Sequence, residues 1–157
     1  MLQLLKEFLN DVGVGEKPVS RFSENDYRLA AAALLIHVMS IDGRETGAEQ
    51  DKLHELLKRQ FELDDDAASE LIVAATAADR EAVDLYGFTR LINRSLDEDG
   101  RKRIVRMMWE MVYADGHMNE FEDNVVWRAS DLLGISQRDR VEMRREVAGA
   151  NKLSDDA

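Results

Sequence analysis

The stretch Tyr113-Ala114-Asp115-Gly116-His117-Met118-Asn119-Glu120-Phe121-Glu122 reads as the end of one helix, a turn and the start of another. Upstream, Ile104, Met107, Met108, Met111 and Val112 recur at helical spacing. Downstream, Phe121, Val125, Ala129, Leu132 and Leu133 make an apolar face that Gly134 closes. Between them, Asp115-Gly116 is a turn signal. The same pattern lies 73 positions earlier, where Asp42-Gly43 is followed by Glu49 and Leu53 as Asp115-Gly116 is followed by Glu122 and Val126. Asp-Gly-x5-Glu in equivalent surroundings predicts a duplicated helix-turn-helix unit.

The rest of the chain supports an all-α fold. Leu29 to Met39 is apolar at every position but His37, as in a helix at the centre of a bundle, and its run of alanines permits close approach of neighbours. Ser23 to Asp26 predicts its start, with a capping hydroxyl. Thr46 to Glu49 is a capping-box pattern before Leu53, Leu56 and Leu57. Asp64-Asp65-Asp66 starts a further helix through Leu71, Ile72 and Ala75, its acids suiting the positive helix end. Asp84 to Leu96 predicts another, with Gly87 as a point of close packing, and Asp97-Glu98 caps the next. Ser136 begins the last, expected to reach about Ala148. The methionines beside Trp109 read as an adaptable core. The expected architecture is a single-domain helical bundle of about seven to eight helices. Residues 1–18 are an amphipathic helix (Leu2, Leu5, Phe8 and Leu9 on one face) with a linker, residues 19–150 the helical domain, and residues 151–157 a polar tail.

Composition narrows the functions. At 157 residues and 45% hydrophobic, one domain buries roughly two-thirds of its unfolded surface, enough for a core of its own. A net charge of -11 repels phosphate backbones and anionic lipid heads, so nucleic acid is not an expected partner and membrane contact is disfavoured. Without cysteine there is no disulfide and no thiolate ligand. No segment approaches the ~18 apolar residues a spanning helix needs, and no signal peptide pattern opens the chain, so a cytoplasmic location is expected.

The spacing Asp-Gly-x5-Glu matches the second half of an EF-hand loop, but Val38–Ile41 and Met111–Ala114 are helical and largely apolar where the first half needs oxygen ligands. A sparser site is the alternative. Asp42, Glu49, Glu110, Asp115, Glu120 and Glu122 supply carboxylates for a hard divalent cation such as Ca²⁺, Mg²⁺ or Mn²⁺, with His37 as a nitrogen ligand. The competing reading is structural: Glu49 and Glu122 follow Thr46 and Asn119 by three and complete capping boxes, Asp42 and Asp115 make turns, and His37 is a core histidine. Acid-base chemistry by the carboxylates is a third reading, with no accompanying nucleophile or oxyanion donor, so no enzymatic activity is expected.

Leu96-Asp97-Glu98, Trp109 to His117, Glu120 to Asp123 and Leu132 to Ile135 resemble the TerB family of tellurite-resistance proteins, in particular its stand-alone bacterial branch. Leu34 to Gly43 is similar to the same motif, and the resemblance covers roughly Tyr27 to Ala148. It implies a duplicated helical fold, a role in stress response through metal sensing near the membrane, and Asp42, Glu49, Asp115 and Glu122 as the functional acids. His37 departs from the acid more usual in that branch, which favours the second copy as the site. The function expected is cation binding coupled to an unidentified protein partner or to self-association. The alternative is a metal-independent interaction scaffold using the N-terminal helix.

Overall fold

The computed structural model describes residues 21–41, 47–114 and 120–155, with side chains to residue 150. They form seven helices: α1 (Tyr27–Ser40), α2 (Gly47–Phe61), α3 (Asp65–Glu81), α4 (Tyr86–Ser95), α5 (Glu98–Val112), α6 (Glu120–Leu132) and α7 (Gln137–Asp155). The all-α bundle read from the sequence is what the structure shows; there is no strand among the described residues. The N-terminal helix expected over residues 1–12 lies outside them, as do Asp42, Thr46, Asp115 and Asn119.

Helix α1 runs through the middle. Ala30 to Ile36 are all buried, and the helix packs against α2, α3, α4, α5 and α6. An all-apolar circumference has this outcome because no side of the helix can face water without cost. Helix α5 is the second axis, burying Ile104, Met107, Met108, Trp109, Met111 and Val112 and touching α1, α2, α6 and α7. The duplication is visible in the packing. The first unit is α1–α2–α3 and the second α5–α6–α7; α1 packs on α3 as α5 packs on α7, and each unit's axis touches the other unit's second helix, α1 with α6 and α5 with α2. Helix α4 joins the units and rests on α1 and α6.

Caps follow short polar side chains, with one shift from expectation. Asp64 accepts from Ala67 N at 2.7 Å, Asp97 from Gly100 N at 2.9 Å and Ser136 Oγ from Asp139 N at 3.2 Å. At α1 the cap is Asp26, accepting from Arg28 N at 3.0 Å, rather than the hydroxyl of Ser23. The carboxylate wins because it also holds the Arg28 guanidinium, at 2.7 Å. The two second helices end alike. Leu63 N donates to Lys58 O across Glu62 at φ 53°, and Ile135 N donates to Ser130 O across Gly134 at φ 71°, both at 3.0 Å. Each is a left-handed closure of the Schellman kind. Gly87, expected to mark close packing, faces open space: a Cβ there meets nothing within 4 Å. The tight glycine is Gly100, where a Cβ would lie 3.0 Å from Leu96 Cβ. Helix α7 continues to Asp155, past Ala148, since no proline follows to stop it.

Candidate functional site: a buried carboxylate heading each repeat

Helix α2 buries Glu49, Leu53, Leu56 and Leu57, and α6 buries Glu122, Val126, Ala129 and Ser130. The two stripes coincide under the 73-residue shift, position by position. Each is headed by a glutamate in the first turn of its helix, 3% exposed for Glu49 and 4% for Glu122. The neighbour one step back faces out in both cases: Ala48 is exposed, and Phe121 is 66% exposed. Phe121 was expected on the apolar face of α6, and this is a correction. One residue is 100° of helix, so the register that buries Val126, Ala129 and Leu133 sends Glu122 inward and Phe121 to water. An exposed phenylalanine beside a buried glutamate inverts the usual ordering of the two residue types.

Both glutamates sit at helix N-termini, where the backbone amides and the macrodipole favour negative charge. Each stands six positions after the glycine of an Asp-Gly pair in the sequence. Asp42 and Asp115 themselves lie outside the described residues. Among the described residues no three acidic or histidine side chains form a group able to hold a metal.

The other expected ligands are placed differently. His37 Nδ1 is 2.9 Å from Asp79 Oδ1, so the one polar side chain within the apolar stretch of α1 is paired with α3. That hydrogen bond raises the His37 pKa above its ordinary 6.5, against the opposing effect of burial. Glu110, the equivalent position in the second unit, is 25% exposed, with Oε2 3.6 Å from Arg59 Nη2 of α2. Glu120 is exposed at the start of α6. The partners Asp79 and Arg59 were not among the sequence candidates. Each lies on another helix, and Arg59 also pairs with Glu55 of its own helix at 3.4 Å.

Among the described residues, Arg144 links the two helices that flank residues 115–119. Arg144 of α7 donates from Nε to Tyr113 Oη at 3.2 Å and has Nη1 3.6 Å from Asp123 Oδ1. Tyr113 closes α5 and Asp123 lies in the first turn of α6, so one guanidinium spans both sides of the turn. Asp123 Oδ2 also accepts from Trp127 Nε1 at 3.0 Å, and Trp127 meets Trp109 edge-on with ring centroids 5.8 Å apart. In the first unit the corresponding residues are Ser40, Gln50 and Leu71, which cannot repeat this arrangement. Ser40 Oγ instead donates back to Ile36 O at 2.8 Å.

Fold and site together define a class: a duplicated helical module in which each unit buries a carboxylate at the head of its second helix. The sequence matches the family described as tellurite resistance protein TerB over residues 28–145, and the chain belongs to that family. No curated protein and no protein of solved structure matches it. Among the described residues no helix is long and apolar enough to cross a membrane.

Proposed function

We propose that this TerB-family chain is a non-catalytic module that binds a divalent cation at its duplicated turns and passes the bound state to a protein partner. The observation that carries the reading is the burial of Glu49 and Glu122 at equivalent positions, each where an adjacent apolar residue faces water. Buried carboxylates are held by hydrogen bonds, by an opposite charge or by a metal ion, and a hard cation is one partner that suits such a group. Carboxylate oxygens from glutamate and aspartate form a hard donor set, which fits Ca²⁺, Mg²⁺ or Mn²⁺ rather than a soft metal. Glu49 with Asp42 would hold it in the first unit, and Glu122 with Asp115 in the second. His37 and Glu110 already answer Asp79 and Arg59 and are secondary. The brace at the second turn supports that unit as the tighter one, because fixed flanks lower the entropy lost on binding.

The test is a thermal melt of chelator-treated protein with each cation added separately. A ligand at 100 times its dissociation constant stabilises the fold by ~2.7 kcal/mol, roughly 5 to 10 °C at this chain length. Glu122→Gln keeps a side chain able to complete a capping box but removes the charge. Expected is a selective upward shift in the native chain that is largely lost in Glu122→Gln and smaller in Glu49→Gln. If no cation moves the native melt, the glutamates are helix caps and the proposal falls.

A further inference from the structure

An open groove of about 910 Å³ lies between α3 and α4. Its lining includes Phe22, Leu29, Ala74, Ala77, Phe88 and Leu91. Val73, which lines it, is 68% exposed and Val83 fully exposed. Small side chains line this side of α3, leaving the groove wide enough for bulkier groups. Acidic side chains, Glu24, Glu70, Glu81 and Asp84, also line it. An apolar channel with charged edges is the form in which an amphipathic helix is received.

The position of the chain identifies the occupant. Arg21, the first described residue, donates from its backbone N to Glu70 Oε1 and sets Nε against Glu70 Oε2, both at 3.0 Å. Glu70 lines the groove, and Phe22, the next residue, is buried in its wall. The described chain therefore begins at the edge of this channel, with 20 residues preceding it in the sequence. They hold Leu2, Leu5, Phe8 and Leu9 at helical spacing, with Lys6 at the flank of that face and Lys17 beyond it. A helix over residues 1–12 is about 18 Å long, and residues 13–20 reach up to about 27 Å when extended. That is slack enough for the helix to turn back onto α3 and α4.

We propose that the groove between α3 and α4 is the docking site for the chain's own N-terminal amphipathic segment, Leu2, Leu5, Phe8 and Leu9 seated in the channel and Lys6 toward its acidic edge. The segment thereby occupies, in cis, the surface the domain would otherwise offer to an apolar partner.

The chain has no cysteine, so a single one reports cleanly on access. Val73→Cys is made in the full-length chain with the native segment and with Leu5→Asp and Phe8→Asp together, and maleimide labelling rates are compared by mass spectrometry. A cysteine at exposed Arg145 is the control. Expected is labelling of Cys at position 73 at least tenfold slower with the native segment, with no difference at position 145. Ala77→Trp, which fills the channel, should in turn speed tryptic cleavage after Lys6 by a similar factor. Equal labelling rates in the two backgrounds overturn the proposal. So does slow labelling that quickens on dilution together with a dimer in sedimentation, because the cover is then a second copy.

Discussion

The pairing of His37 with Asp79 allows a prediction whose sign is fixed by the geometry. The imidazole belongs to α1 and the carboxylate to α3, at 2.9 Å, with side-chain exposures of 40% and 14%. The Asp79 hydrogen bond raises the histidine's pKa above 6.5. Stability from the charged pair is thus complete below pH 6.5 and is lost as pH rises through the folded-state value. Because the imidazole is more than a third exposed, solvent screens the pair, and its worth belongs at about 0.2 to 1 kcal/mol. At this chain length that is up to about 4 °C of melting temperature. The assay is a melt of the native chain and of Asp79→Asn at about pH 5.5 and about pH 8.5, values that bracket an ordinary or raised histidine pKa. An NMR titration of the ring protons accompanies it, with His37→Gln identifying the signal. Asp79→Asn should melt lower than the native chain in acid, and the gap should narrow in base. A His37 midpoint at or below 6.5, or a gap that widens with pH, would refute the reasoning.

Two packing predictions concern the scaffold. Ala32 on α1 is fully buried, so Ala32→Leu should overpack the bundle and cost about 1 to 3 kcal/mol in a denaturant titration. At the matched helix ends, Gly134→Ala should lose about 1 to 2 kcal/mol for its left-handed backbone, the Cβ itself meeting only Arg101 Nη1 at an ordinary 3.5 Å. Glu62→Gly, at the corresponding φ of 53°, should gain up to about 1 kcal/mol; if both changes destabilise equally, the strain assigned to Glu62 is wrong.

What could be read in the sequence was periodic. The apolar circumference of α1, the methionine face of α5 and the Asp-Gly-x5-Glu repeat are local patterns, and they were enough for the helical bundle and its duplication. The misses came where neighbouring residues compete for one position. Phe121 and Glu122 sit 100° apart, and hydrophobicity alone chooses Phe121 for the interior. Aligning α6 on α2 chooses Glu122, because Leu53, Leu56 and Leu57 fall on Val126, Ala129 and Ser130. The repeat therefore held the information that the single helix concealed. Ser23 and Asp26 competed in the same way for the cap of α1, and Arg28, reaching back to Asp26, decided it. For the His37 and Glu110 partners no such signal exists, since Asp79 and Arg59 arrive from helices whose placement is a property of the whole bundle.

The asymmetry that the sequence suggests between the two units weakens once those partners are counted. His37 and Glu110 occupy equivalent places with opposite charge tendencies, which would make the first unit a mixed nitrogen and oxygen site and the second an all-carboxylate one. Each, however, faces its own counter-charge, Asp79 for His37 and Arg59 for Glu110. Glu110, and His37 while it is protonated, are each partly neutralised by these partners, so neither adds the full field of a lone charge at the adjoining turn. What remains alike in both units is the inward glutamate, and what remains different is the Arg144 brace across the second turn. If the proposed cation sites exist, the two units should share a preference for the same hard cation while differing in affinity. Arg144→Leu removes the brace without touching either buried glutamate. On the proposed cation binding, calorimetry of the native chain should show two binding steps, and Arg144→Leu should weaken the second site toward the first and bring them closer together. Two steps that keep their separation in Arg144→Leu would show that the brace does not set the difference.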